Sequence, residues 1–273
     1  HLEHLKQNLK FFAPRVTPII FPAWDCLPYD RVSPSRDLLG KRSYALSQLT
    51  HPQRKSGFIL TTINALYQKL PVKTKFTGMS RSLNKSEDVN FQEFTSYLTK
   101  LGYQRTETVR EIGEFALRGG ILDLFLAGYK DPIRCDFFGQ KLEKIKYFDA
   151  LSQVSTSEIS SFTVFPLSEL MLTSSSIAQF RTGYRELFGA RATERDPLYS
   201  KISDGIAHPG MEHWLPLFET EMTSFFSYLR NPMLVMAPEV RAALAARHDQ
   251  IAEFHDARVQ FMDNELDQIY YPL

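Results

Sequence analysis

The sequence predicts an α/β fold, in which a doubly wound sheet is interrupted by a small α+β domain with its own antiparallel sheet. Two observations predict it. Residues 16–63 run from a short apolar segment through an amphipathic one to a second apolar segment, which is the order of a βαβ unit. Between Gly102 and about Pro166, the apolar period changes from that of a helix to that of strands separated by turn residues.

The first segment supplies the parallel part of the fold. We expect buried strands in "VTPIIF" (16–21) and "GFILTTI" (57–63), because parallel sheets bury continuous apolar runs on both faces. Asp37 can cap a helix over 38–49. That helix places leucines on one side and polar side chains elsewhere, the leucines being Leu38, Leu39, Leu46 and Leu49 and the polar residues Lys41, Arg42 and Gln48.

A polar stretch over 72–90 marks the start of the inserted domain. Asn90 and Glu93 resemble a capping box, and the helix that follows should end at Gly102. Its apolar face comprises Phe91, Phe94, Leu98 and Leu101. Four strand-like runs come next, "ETVREIGEFALRG", "ILDLFLAG", "PIRCDFF" and "KLEKIKYFD", and Gly139-Gln140 is a tight link between the last two. They predict an antiparallel meander.

Helical periodicity returns after Pro166, with Ile177, Phe180, Tyr184 and Leu187 on one face. We expect loop and turn in "GIAHPGMEHWLPLF" (205–218), a buried strand in "PMLVMAP" (232–238) and a charged amphipathic helix over 244–273. The predicted domain boundaries follow from these changes of pattern. They are 1–75 for the first α/β segment, 76–166 for the inserted domain, 167–250 for the second α/β segment and 251–273 for a C-terminal linker helix.

Composition excludes several classes of protein. Lysine and arginine (32) nearly balance aspartate and glutamate (31), so charge alone predicts no nucleic-acid partner. Cys26 and Cys135 stand far apart, which suits a reducing cytosol, and we expect a cytoplasmic protein. No apolar run reaches the roughly 18 residues of a membrane-spanning helix. Because the chain lacks a starting methionine, we interpret it as a fragment of a longer protein.

Motifs for catalysis or cofactor binding do not occur. The patterns GxxxxGK[ST], GxGxxG, GxSxG and HExxH are absent, so we expect no cofactor, no metal and no catalytic residue in this chain. His248 and His255 lie two helical turns apart, about 10.5 Å, which is too far for one metal ion. A nuclease would need an acidic residue two positions before Lys144, on the same strand face. Glu143 directly precedes that lysine instead.

The alternation of the predicted strands gives one sheet face an unusual composition. Inward residues are Phe115, Leu117, Leu122, Leu124, Leu126, Ile133, Cys135 and Phe137. Outward residues are Arg118, Ile121, Asp123, Phe125, Arg134, Asp136 and Phe138. Gly119-Gly120 can form the turn or bulge that shifts the inward–outward alternation between the first run and the second. Arginines beside large aromatic residues are typical of an interface. Alternatively, a helix from another domain covers this face and its charges pair internally, and the pattern does not separate these alternatives.

Two longer stretches carry a family resemblance. "GYQRTETVREIGEFALRGGILDLFLAG" and "PIRCDFFGQKLEKIKYFDALSQ" closely resemble the bacterial transcription-repair coupling factors, and more distantly the excision-repair helicase UvrB. The resemblance extends upstream through "FPAWDCLPYDRVSPSRDLLGKR" and downstream through "GMEHWLPLFE". It implies the N-terminal UvrB-like module of such a factor. That module is a degenerate RecA-like (P-loop NTPase-like) doubly wound domain in two segments, with a small UvrA-binding domain inserted between them.

The resemblance also implies a function, partners and binding residues. The inserted domain would recruit UvrA to RNA polymerase stalled at DNA damage, and the family's binding residues fall on Arg118, Arg134 and Phe138. Arg105 matches a Y-x-R position of UvrB, whereas Ala116 replaces an arginine that UvrB has there. Contacts with RNA polymerase and DNA, and the ATP and magnesium of the motor domains, would belong to other parts of the full-length protein.

Three functional hypotheses follow from the sequence. The first is a non-catalytic recruitment module that binds UvrA. The alternative is an ATP-dependent helicase fragment of the UvrB type, whose phosphate loop lies upstream of His1. A DNA-binding module is disfavoured by the net charge of +1. It is also disfavoured because the segment at the position of UvrB's aromatic DNA-clamping hairpin, "LPYDRVSPSRDLLGKR", has Tyr29 as its one aromatic residue.

Overall fold

The computed structural model describes residues 2–54 and 57–260, without the side chains of 190–195 and 258–260. The chain begins with helix α1 (Leu2–Phe12), strand β1 (Ile19–Phe21), helix α2 (Arg36–Thr50) and strand β2 (Ile59–Thr61). Strands β1 and β2 pair in parallel, with Ile19 opposite Ile59, and α2 packs on β1. The predicted βαβ unit is therefore confirmed, with shorter strands. A wider doubly wound sheet stays a prediction, because in the described part of the chain these strands pair with each other alone.

Helix α2 differs from its prediction in two ways. Ser35, and not Asp37, occupies the N-cap position, while Asp37 lies in the first turn and forms an ion pair with Lys41. Arg42 was expected on the polar side but is completely buried. It forms an ion pair with the buried Glu169 and lies 4.3 Å from the ring centre of Phe21. A buried charge needs such a partner, and this pair joins the first segment to the chain that follows the inserted domain.

The chain then enters the inserted domain through short elements. They are helix α3 (Ile63–Tyr67), strand β3 (Leu70–Pro71), strand β4 (Arg81–Asn84) and helix α4 (Phe91–Lys100). The predicted N-cap at Asn90 is confirmed, because its side chain accepts hydrogen bonds from the backbone N–H groups of Gln92 and Glu93 at 3.0 and 3.3 Å. Glu93 takes part through its backbone N–H and not through the side-chain bond of a capping box. Phe94, Leu98 and Leu101 are buried, as expected for the apolar face, and Gly102 follows with a φ of 92°.

The sheet of the inserted domain is the predicted meander with two strands added, one at each edge. Its strands are β5 (Gln104–Arg105), β6 (Glu114–Arg118), β7 (Ile121–Leu124), β8 (Ile133–Phe138), β9 (Lys141–Phe148) and β10 (Ser155–Ile159). They lie in the order β10-β9-β8-β7-β6-β5, antiparallel except for the parallel pair β5 and β6. The run predicted from Glu107 is extended only from Glu114. Strand β11 (Ser161–Val164) then pairs with β4.

Glycine is required at the turn between β6 and β7. Gly119 has a φ of 59°, a left-handed conformation that glycine adopts most readily. A Cβ atom on Gly120 would lie 2.8 Å from the carbonyl oxygen of Phe137, whose own N–H donates to the Gly120 carbonyl. The glycine pair therefore lets β6 turn tightly into β7 while β8 approaches closely.

The last part of the chain is mostly helical. Its elements are α5 (Ser174–Arg195), α6 (Pro197–Ser203), α7 (Leu215–Phe218), strand β12 (Met222–Thr223) and α8 (Val240–Gln260). Helix α5 is interrupted at Gly189, which has a φ of 75°. Strand β12 pairs with β3, so the segments before and after the inserted domain meet in a sheet. No helix in the described ranges combines the length and apolar character needed to cross a membrane.

Four predictions for this part need correction or fall outside the described ranges. Leu187 is exposed, and Phe188 packs against the core in its place. The 205–218 segment contains a short 3₁₀ turn, Met211–Trp214, and helix α7 rather than loop alone. The 232–238 segment is neither a strand nor buried, since Met233 is 89% exposed. The linker helix predicted over 251–273 is observed to Gln260, and the remainder lies outside the described residues.

Candidate functional site

The register of β6, β7 and β8 brings the two predicted arginines to one side of the sheet. Arg118 lies opposite Ile121, which lies opposite Asp136, and Asp123 lies opposite both Ala116 and Arg134. Because side chains of antiparallel partners share a face, Arg118, Asp123 and Arg134 project together. We call the surface formed by Arg118, Asp123, Arg134 and Phe138 the arginine face.

A buried carboxylate lies at the centre of the arginine face. Asp123 is completely buried, although alternation alone suggested an exposed position. Its Oδ1 accepts a hydrogen bond from Nε of Arg134 at 2.7 Å, and its Oδ2 accepts from Nη2 of Arg134 and from Nη2 of Arg118, both at 2.9 Å. The internal pairing of charges, which was part of the second alternative, is therefore observed, while the interface stays a prediction.

A small second core explains why Asp123 is buried. Val109, Ala116 and Phe148 pack together on the outward side of the sheet, with Phe125 partly buried against them. No helix of the described chain takes part in this cluster, whose covering residue is Val109 of the irregular segment between β5 and β6. Arg134 extends this cover, since its guanidinium lies 4.6 Å from the ring centre of Phe148.

The two arginines differ in what they present to solvent. The Arg134 side chain is 17% exposed, and besides Asp123 it donates from Nη1 to the backbone carbonyl of Gln153 at 3.1 Å. Hydrogen bonding to Asp123 raises the pKa of Arg134. The Arg118 side chain is 53% exposed and donates from Nη2 to Asp123. Arg118 is thus a presented charge, and Arg134 is largely a structural one.

Phe138 supplies an apolar group at the end of β8. It is 77% exposed, in agreement with the outward position predicted for it. Phe137 points inward as expected and packs against Phe91 of α4, with ring centres 4.6 Å apart. The register of β8 and β9 shifts between Asp136 and Phe137, and this bulge lies next to Phe138.

Arg105 lies at the edge of the sheet. It is exposed on β5, opposite Phe115 of β6, and it lines one shallow cleft together with Thr106, Glu107, Thr108, Leu117 and Arg118. The structure therefore brings Arg105 and Arg118 to one cleft. Arg134 and Phe138 lie outside the lining of that cleft.

Sequence reasoning missed the role of Asp123 at this site. The residue was assigned to the outward face, but it was not predicted to be the partner of both arginines. The signal that could have indicated this role was its predicted place on the same strand face as Arg118 and Arg134, and the register puts it directly opposite Arg134.

In the described part of the chain, no three histidine, cysteine, aspartate or glutamate side chains lie close enough to hold a metal ion. Asp136, the other carboxylate on this face, forms an ion pair with Lys146 at 3.2 Å.

A separate cluster fixes the loop that precedes α2. Ser33 donates to the Glu212 carboxylate at 2.6 Å and accepts from the backbone N–H of Gly210 at 2.8 Å, and the His213 ring lies 3.1 Å from the Val32 carbonyl. Burial raises the pKa of Glu212 and lowers that of His213. These contacts hold the loop against the 3₁₀ turn at Met211–Trp214, and they lie apart from the arginine face.

Comparison with known proteins relates the chain to a repair family. Residues 82–170, which include every residue of the arginine face, match the model of the UvrB interaction domain. Transcription-repair-coupling factors from Haemophilus influenzae, Rickettsia bellii and Escherichia coli are 33%, 32% and 32% identical to the chain, over 91%, 94% and 88% of its length.

The same comparisons cover only a part of each relative. The chain spans 21%, 23% and 21% of the lengths of these three proteins. The chain is therefore similar, over most of its length, to about a fifth of a transcription-repair-coupling factor, and its residues 82–170 match the UvrB interaction domain.

Proposed function

We propose that this chain is a non-catalytic recruitment module of transcription-coupled nucleotide excision repair, and that it binds UvrA through the arginine face. The relatives are named for coupling transcription to repair, and the matching domain family is named for an interaction of UvrB. In the full-length protein, this module would bring repair proteins to RNA polymerase stalled at DNA damage. Contacts with the polymerase and DNA, and any ATP-driven movement, are proposed for other parts of that protein.

The observation that carries this proposal is the half-exposed side chain of Arg118, whose guanidinium is hydrogen-bonded to the fully buried carboxylate of Asp123. An arginine held in one conformation before binding loses less entropy when a partner captures it. Phe138, exposed on the same face, adds an apolar anchor of the kind found at interface hot spots. The face is therefore pre-organised for binding.

The charge of the face indicates what its partner must offer. Two guanidinium groups and one carboxylate leave one net positive charge, and that charge is accessible mainly through Arg118. A complementary surface carries an acidic group opposite Arg118 and an apolar pocket for Phe138. The arginine face itself offers no catalytic group, because both oxygens of its buried carboxylate accept hydrogen bonds from arginine.

Titration of the chain with purified UvrA tests the proposal. Arg118→Ala should weaken binding at least about tenfold, since loss of a desolvated charge pair typically costs about 2 kcal/mol or more. Arg241→Ala, which removes an exposed arginine of α8, is the matched control and should bind as wild type does. Both variants should keep the wild-type thermal melt. Absence of UvrA binding by the wild-type chain, or unchanged affinity of Arg118→Ala, would overturn the proposal.

A further inference from the structure

The turn between β9 and β10 presents an exposed apolar side chain beside the arginine face. We call residues 149–154 the Leu151 turn. Leu151 is 92% exposed, and Val154 is 62% exposed. A single exposed leucine is common on protein surfaces and by itself indicates nothing. The backbone that carries Leu151, however, is held by several hydrogen bonds.

Several hydrogen bonds hold the Leu151 turn in one conformation. The Asp149 carboxylate accepts from the N–H and the hydroxyl of Ser152 at 2.7 and 2.8 Å, which lowers the pKa of Asp149. The Gln153 N–H donates to the Asp149 carbonyl, and the Asp149 N–H donates to the Val154 carbonyl. Gln153 has a φ of 61°, a left-handed conformation that is costly for a residue other than glycine and is found at functional sites.

Gln153 connects this turn to the arginine face. Its side-chain Nε2 donates to the Val109 carbonyl at 3.0 Å, and its backbone carbonyl accepts from Nη1 of Arg134 at 3.1 Å. Arg134 in turn holds Asp123 with its other two donor nitrogens. A continuous chain of contacts therefore runs from Asp123 through Arg134 to the Leu151 turn.

We infer that Leu151 is a second apolar anchor for the partner, and that Arg134 is a positioning residue that acts through the Leu151 turn. The inference rests on the proposed function, with UvrA as the partner. Phe138 lies at the end of β8 that is level with Arg118, whereas Arg134 near the start of that strand holds the Leu151 turn, so the face has an apolar group toward each end of β8. A rigid turn loses little entropy on binding, which makes an exposed leucine there an effective contact.

UvrA titrations of single and double variants test this inference. Leu151→Ala should weaken binding about fivefold or more, while Leu187→Ala, which truncates a leucine 53% exposed on α5, should have no effect. If Arg134 acts through the turn, the fold-loss of UvrA affinity in Arg134→Ala/Leu151→Ala is smaller than the product of the fold-losses in the two single variants. In Arg118→Ala/Leu151→Ala, the fold-loss of affinity should equal the product of the fold-losses in Arg118→Ala and Leu151→Ala, because these two residues make separate contacts.

A second variant keeps the test decisive if Arg134→Ala does not fold. Gln153→Gly retains the carbonyl that Arg134 contacts and accommodates the positive φ, but it removes the bonds to Val109 and Ala150. It should weaken binding and show the same non-additivity with Leu151→Ala. Wild-type affinity of Leu151→Ala alongside a weakened Arg118→Ala would overturn this inference and leave the proposed function intact. Unchanged binding by Arg118→Ala would instead contradict the proposed function itself.

Discussion

Asp123 and Arg134 form a bidentate ion pair, in which Nε of Arg134 lies 2.7 Å from Oδ1 of Asp123 and Nη2 lies 2.9 Å from Oδ2. The carboxylate is completely buried, so its charge depends on arginine for compensation. Arg118 contacts the same carboxylate but remains half exposed. The pair therefore separates a structural arginine from a presented one, and this separation yields the first prediction.

Arg134→Ala should destabilise the chain by about 3 kcal/mol, the lower limit for breaking a buried ion pair, because Arg118 remains as a partner of Asp123. Urea unfolding at neutral pH measures the change. Lys146→Ala is the control, since its ion pair with Asp136 is about a third exposed on both sides and should contribute less than about 1 kcal/mol. Equal effects of the two substitutions would mean that the burial of Asp123 does not matter for stability.

Asp123→Asn should weaken UvrA binding although Asp123 is buried and cannot touch a partner. The neutral amide accepts hydrogen bonds less strongly than a carboxylate, so Arg118 becomes less fixed and loses more entropy on binding. We expect a loss of about fivefold by calorimetry, against little change for Asp136→Asn on the same face. A wild-type affinity of the Asp123→Asn chain would show that Arg118 needs no support from the sheet.

Stability should fall on mild acidification because of His213. Burial lowers its pKa below the ordinary value of 6.5, so its contribution is complete above about pH 6.5 and is lost as the pH falls through the folded-state pKa. Glu212 acts oppositely, because its raised pKa favours the protonated form in the fold. Comparison of wild type with His213→Gln isolates the histidine. Between pH 7.5 and 5.5 the urea midpoint should fall more in wild type, and parallel curves would refute this assignment.

The chain should bind DNA weakly at about 150 mM salt. A net charge of +1 provides few lysine or arginine side chains in excess to replace the counterions of the phosphate backbone. Gel shifts with duplex and single-stranded DNA check this expectation. Submicromolar affinity for either form would favour a DNA-binding module over the recruitment module that we propose.

The sequence could predict the elements that local rules determine. The two-residue alternation identified β7, β8 and β9, Gly139 adopts the positive φ of 61° that its tight turn needs, and the Asn90 cap depends on residues three positions away at most. The placement of Arg118 and Phe138 on the exposed side also followed from alternation, since strand residues change face at every step.

The parts that could not be predicted depend on distant contacts. Asp123 is buried because Val109 and Phe148 cover that side of the sheet, and alternation contains no information about such cover. Arg42 is buried because its partner Glu169 comes from the other side of the inserted domain. The apolar run around Met233 fits a buried strand, but an apolar run does not specify a pairing strand, and the structure leaves it exposed.

Hydrogen–deuterium exchange of the chain with and without UvrA tests the central claim most directly, because it locates the contact surface without any substitution. We expect UvrA to slow exchange in residues 114–124 and 133–154, which carry the arginine face and the Leu151 turn. Exchange in the Met211–Trp214 turn and α7 should not change, because they lie apart from that face. Slower exchange confined to those helical segments, with residues 114–154 unchanged at saturating UvrA, would show that the arginine face is not the binding surface.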